Sequence, residues 1–91
     1  MLGNWDISEL RAVNLPQKVQ SAFTSVTSDI VGADYQPVLY VGKQIVNGTN
    51  YCLLAVKTTV TAAPASTLVK MVIHEDLEGN AVLKSISRVA L

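Results

Sequence analysis

The sequence predicts an α+β fold, with one α-helix packed on an antiparallel β-sheet of four or five strands. One segment has apolar residues spaced three and four apart, which is the pattern of a helix with one buried stripe. The segments after it alternate apolar and polar residues between turn signals, which is typical of strands. A chain of 91 residues closes one hydrophobic core, so residues 1–91 are expected to form a single domain.

The helix is predicted from about Pro16 to about Val31. Proline suits the first turn of a helix, where its missing N–H has no partner, and Gly32 suits the left-handed conformation beyond the end. The apolar stripe that should face the sheet consists of Val19, Ala22, Phe23, Val26 and Ile30.

Four strands are predicted after the helix, and turn-forming residues separate them. Asn47-Gly48 is a strong hairpin signal because both residues tolerate positive φ, and Glu78-Gly79-Asn80 marks a second hairpin. A short leading strand or an extended arm that includes Trp5 and Ile7 would precede the helix. The four strands are expected at about Gln36 to Ile45, Thr49 to Thr61, Thr67 to Glu75 and Ala81 to Ala90.

The second predicted strand is apolar on both faces. Alternation places Cys52, Leu54 and Val56 on one face and Tyr51, Leu53 and Ala55 on the other. We expect the face with Cys52 to point into the core, where a free cysteine behaves as a small apolar residue. The other face is then expected to lie in part against the arm or a partner.

Composition argues against several classes of partner. Seven basic residues balance seven acidic ones without a basic run, so the chain lacks the charged surface that nucleic acid binding requires. The apolar stretches are shorter than the roughly 20 residues that span a membrane. With one cysteine and no apolar leader at the start, a cytoplasmic location is expected, and a secreted mature form is the alternative.

The sequence offers little for catalysis or metal binding. Cys52 is the only cysteine and His74 the only histidine, so the three or four ligands of a zinc site are missing. These two residues could act as a nucleophile and its base only if the fold joined them. The expectation is a binding protein that is not an enzyme, with no metal and no cofactor.

The most specific motif is the segment Gln44-Ile45-Val46-Asn47-Gly48, which Thr49-Asn50-Tyr51 follows. It resembles the Gln-x-Val-x-Gly loop of the cystatin family, and the extension is similar to the stefins, the disulfide-free branch. The predicted order of helix, strands and hairpins also follows that family over nearly the whole chain. Gly3 lies where cystatins carry an amino-terminal glycine.

This resemblance implies a cystatin-like fold and reversible inhibition of papain-like cysteine proteases. The arm with Leu2 and Gly3, the first hairpin from Gln44 to Gly48, and the second hairpin with Leu77 would together fill the active-site cleft. It also implies a monomer that can form a domain-swapped dimer by opening the first hairpin between Lys43 and Thr49.

The second hairpin departs from the secreted cystatins. It has no tryptophan, and three carboxylates, Glu75, Asp76 and Glu78, surround Leu77. An acidic rim on a protease cleft would repel them. A non-inhibitory interaction module with the same fold, binding through a sheet edge or through the hairpins, is therefore the alternative function.

Overall fold

The computed structural model describes residues 5–7, 9–11 and 14–91, and it contains one helix and four strands. Helix α1 spans Gln17–Thr27. The strands are β1 (Ala33–Val46), β2 (Gly48–Thr59), β3 (Ser66–Glu75) and β4 (Ala81–Arg88). They form one antiparallel sheet in the order β1-β2-β3-β4, which confirms the predicted helix on a four-stranded meander.

Helix α1 begins after Pro16, as predicted, but ends four residues earlier than the expected Val31. The N–H of Ser28 still donates to the carbonyl oxygen of Thr24, but the N–H of Ile30 donates to that of Thr27, three residues back, so the regular helical bonding stops at Ser28. Ile30 therefore lies outside the helix, although it is half-buried. Gly32 has φ +92° and turns the chain into β1.

The helix buries one stripe against one face of the sheet. Phe23 is the largest buried side chain on that stripe, and it is 3% exposed. Desolvation of this apolar surface stabilises a helix whose many serines and threonines are weak helix formers. The core residues are Val19, Ala22 and Phe23 from α1, Tyr51, Leu53 and Ala55 from β2, and Val69, Met71 and Ile73 from β3.

The expected core face of β2 was wrong. The helix covers the face with Tyr51, Leu53 and Ala55, while Cys52 and Leu54 lie half-buried on the opposite face. Both faces of this strand are apolar, so alternation alone identifies the two sets of residues but not the set that the helix covers.

Among the described residues before the helix, none forms a fifth strand. Instead, the N–H of Leu10 donates to the carbonyl oxygen of Ile7 at 3.2 Å, which closes a turn. No helix in the described part of the chain is long and apolar enough to cross a membrane.

Candidate functional site

The two hairpin tips lie side by side at one end of the sheet. The first tip joins β1 to β2, where Val46 pairs with Gly48 around Asn47. The second joins β3 to β4, where the N–H of Asp76 donates to the carbonyl oxygen of Asn80 at 2.9 Å. Because the four strands form an antiparallel meander, the turn between β1 and β2 and the turn between β3 and β4 lie at the same end of the sheet.

Both tips and the first turn of α1 line one shared hollow of about 490 Å³. Lys18 contributes from the helix. The hairpin residues that line it are Ile45, Val46, Gly48 and Thr49 from the first hairpin, and Glu75, Asp76, Leu77 and Gly79 from the second. The structure thus brings together predicted site residues from both hairpins.

Three of the large apolar side chains that line this hollow are exposed. Ile45 is 71% exposed, Val46 is 45% exposed and Leu77 is 77% exposed. Leaving them in water forgoes the free energy that their burial would contribute, roughly 1.5–3 kcal/mol for each full burial. A partner that covers the tips would recover part of this free energy.

The close packing of the first hairpin against the end of β3 requires a glycine at position 48. The φ of Gly48 is +99°, which L-residues with a side chain rarely adopt. A Cβ atom built on Gly48 would overlap the carbonyl oxygen of Glu75, and it would lie 3.0 Å from Cε1 of His74. The first hairpin therefore packs directly against the end of β3, so the positions of the two hairpin tips depend on each other.

A polar cluster supports the first hairpin on the face away from the helix. Asn50, only 7% exposed, donates from Nδ2 to Oε1 of Gln44 at 3.0 Å. Its Oδ1 lies 2.8 Å from Nδ1 of His74. Cys52 lies opposite Val72, two pairs further along the same strands, and Nδ1 of His74 is engaged by Asn50.

The second tip holds its own conformation through Asp76. The carboxylate oxygen Oδ1 accepts hydrogen bonds from the backbone N–H groups of Asn80, at 2.8 Å, and of Glu78, at 3.0 Å. The bond from the Asn80 N–H is the main reason that the pKa of Asp76 lies below its ordinary value. The exposed Leu77 is thus presented by an ordered turn.

The described part of the arm lies at the other end of the sheet from the tips. Trp5 and Ile7 line a hollow together with Leu68, near the start of β3. Leu2 and Gly3, the two predicted arm contacts, lie outside the described residues.

Sequence reasoning missed the contacts that Lys18, Asn50, His74 and Glu75 make around the tips. The pairing of Gln44 with Asn50 follows from the hairpin register once the tip is placed at Asn47. The described residues contain no group of three or more side chains suited to hold a metal ion. Comparisons of the chain with protein-family models, with curated proteins and with solved structures gave no match.

Proposed function

We propose that this protein is a reversible, tight-binding inhibitor of papain-like cysteine proteases, with a cystatin-like fold of the stefin type. The observation that carries the proposal is the pair of adjacent hairpin tips, which expose Ile45, Val46 and Leu77 at one end of the sheet. The sequence Gln44 to Gly48 at the first tip supplies the resemblance to the inhibitory loop.

The tips suit occlusion of a cleft for physical reasons. Val46 is β-branched and stiff, so it contributes an apolar contact with little loss of side-chain freedom. Gly48 is fixed on the end of β3 and Gln44 is held by Asn50, so the first loop is ordered before binding. Preorganisation of this kind improves affinity because less conformational entropy is lost in the complex. The inhibitor would act by covering the catalytic centre rather than by chemistry of its own.

The arm would have to change position to contribute. The 12-residue strand β2 is about 40 Å long at roughly 3.3 Å per residue, and Trp5 lies at its far end from the tips. We propose that the arm relocates to the cleft when the protease binds, and that Leu2 and Gly3 then add contacts that slow dissociation. Removing residues 1–4 should therefore increase the dissociation rate and leave thermal stability almost unchanged.

Titration of papain with the protein, at fixed substrate concentration, tests the proposal. The expected result is loss of papain activity and no effect on trypsin, a serine protease with a differently shaped cleft. Val46→Asp should weaken inhibition roughly 10²–10³-fold, because it places an unpaired charge in a desolvated contact.

Val31→Asp is the matched control. Val31 is 95% exposed and precedes β1, away from both hairpin tips, so this variant should inhibit like the wild type. Papain that stays fully active at inhibitor concentrations of tens of micromolar would refute inhibition of this enzyme. Equal inhibition by wild type and Val46→Asp would show that the first hairpin does not enter the cleft.

A further inference from the structure

The sheet face that points away from the helix is apolar at its centre. We call this the open sheet face. Strand register sets its residues side by side, with Leu39 opposite Leu54, Cys52 opposite Val72, and Val56 opposite Leu68. The helix packs on the other face, and at the end of the open face away from the hairpin tips the arm residues Trp5 and Ile7 line a hollow with Leu68.

A solvated face of an antiparallel sheet normally carries polar side chains in alternation with the core. Here β2 places three half-buried apolar residues at successive positions of the open sheet face, and Leu39 on β1 is 46% exposed. Contiguous apolar surface of this kind marks an interaction site. Most of the surrounding residues on the same face are polar, and Val82, opposite His74, is an exposed apolar exception. The polar ones are Asp34, Gln36, Asn50, His74, Ser85 and Ser87. An apolar centre inside a polar rim is the usual anatomy of a protein interface.

We propose that a second copy of this chain covers the open sheet face, so that two sheets stack and the two helices lie on the outside. The face carries few ionisable groups, chiefly Asp34, Lys70 and His74, and no block of one charge that would select an oppositely charged partner. Two identical apolar patches related by a two-fold axis are complementary to each other. Stacked sheets interdigitate their side chains across about 10 Å.

The size of the face sets the strength of this dimer. Four strands about 4.8 Å apart and a ten-pair ladder between β2 and β3, about 33 Å long, give a face of roughly 600 Å² per copy. The total of about 1,200 Å² lies at the lower limit of specific interfaces. The dimer is therefore weak and exchanges rapidly with the monomer.

Lys70 sits opposite Leu54 near the centre of the face, and a buried unpaired ammonium would oppose stacking. Its partner on the other side is Ser87, a small residue on the edge strand β4. The long lysine stem can pass over this serine and keep its charge in water at the sheet edge.

Stacking leaves both hairpin tips free, because they lie at the end of the sheet rather than on its face. Each copy in the dimer keeps its own first hairpin. This dimer is thus distinct from a domain-swapped one, which must open that hairpin, and it does not depend on protease binding.

Analytical ultracentrifugation of the whole chain, from about 5 to about 500 μM, tests the inference. The wild type should shift from monomer to dimer within this range, without heating. Leu54→Glu should raise the dimer dissociation constant at least about tenfold, because it puts two charges into the apolar centre. Val31→Glu, which adds the same charge away from the face, should leave the constant unchanged.

Cys52 offers a second readout on the same face. A bismaleimide with a span of about 10 Å should join wild-type chains and fail to join Leu54→Glu chains. If Leu54→Glu does not fold, Leu68→Lys replaces it, since Leu68 lies on the same face opposite Val56. A wild type that remains monomeric at every concentration would overturn the inference. So would a dimer that neither substitution weakens.

Discussion

Nδ1 of His74 lies 2.8 Å from Oδ1 of Asn50, and this hydrogen bond ties the end of β3 to the first hairpin. The amide oxygen only accepts hydrogen bonds, so Nδ1 of the histidine carries the proton. Nδ2 of Asn50 donates in turn to Gln44. A side chain as buried as Asn50 needs both partners, because a buried polar group without a hydrogen bond is costly.

We expect His74→Leu to destabilise the protein by about 1–3 kcal/mol, because Oδ1 of Asn50 is left buried without a donor. The double replacement Asn50→Leu with His74→Leu should cost less than the sum of the two single replacements, since it removes both polar partners at this contact. Urea unfolding of the four proteins measures the free energies for this cycle. Additive costs would show that the two side chains do not interact.

The positive φ of Gly48 leads to a second prediction. Gly48→Ala should destabilise the protein by at least about 2 kcal/mol, because left-handed backbone alone costs an L-residue roughly 1–2 kcal/mol and the new methyl group overlaps Glu75. The midpoint of urea unfolding measures this loss.

Gly42→Ala is the matched control for Gly48→Ala. Gly42 lies in the same hairpin, opposite Cys52, and a Cβ atom there meets no atom within 4 Å. Its replacement should change stability by less than about 0.5 kcal/mol. Equal losses for the two variants would contradict the seating of Gly48 on the end of β3.

The strands could be predicted well from the sequence because turn-forming residues separate them. Asn47-Gly48 and the segment from Glu78 to Asn80 both fall at hairpin tips, and the predicted strand starts and ends lie within three residues of those observed. The helix end was less predictable. Ile30 continued the apolar spacing, yet its N–H donates to the carbonyl oxygen of Thr27, three residues back, because the helix has already ended.

The site was predictable only in part. The tip residues could be named from turn chemistry and from their resemblance to a known loop. The bond between Asn50 and His74 joins residues 24 positions apart, and it depends on the register of β2 against β3. A slip of the register by one residue would move every side chain of the strand to the other face of the sheet. The turn-forming residues between β2 and β3 do not specify that register.

Tyr51 leads to a prediction for alkaline pH. Burial, followed by the hydrogen bond of 3.0 Å that its hydroxyl donates to Oε1 of Glu75, raises its pKa above the ordinary value of 10.0. The unfolded chain then loses this proton at lower pH than the folded chain. Tyr51 therefore contributes stability that is fully present below pH 10.0, and this contribution is lost as the pH rises through the raised pKa.

The measurement is the free energy of unfolding of wild type and Tyr51→Phe between about pH 8 and about pH 11. The wild type should lose stability more steeply above pH 10, and the variant should show a shallower slope. Absorbance of tyrosinate should show that the late ionisation of Tyr51 in the folded wild type is missing from the variant. The same slope in both proteins would contradict the raised pKa.

The tightness of the first hairpin favours a domain-swapped dimer. Only Asn47 separates the paired residues Val46 and Gly48, while β-branched Ile45 and Val46 prefer extended backbone. If the hairpin straightens between Lys43 and Thr49, β1 and β2 run on as one strand, and α1 with β1 packs on the remaining strands of another chain. The core contacts are then remade between chains.

Mild heating at high protein concentration, followed by gel filtration, should yield a dimer that reverts slowly, because its separation requires the core to open. This slow exchange distinguishes it from the rapid dimer of stacked sheet faces. The swapped dimer should lose papain inhibition, since the straightened segment no longer forms a tip. Val46→Asp, which suits a turn better than valine does, should suppress the slow dimer, and Leu54→Glu should not. A slowly reverting dimer with full inhibitory activity would place the exchange at another part of the chain.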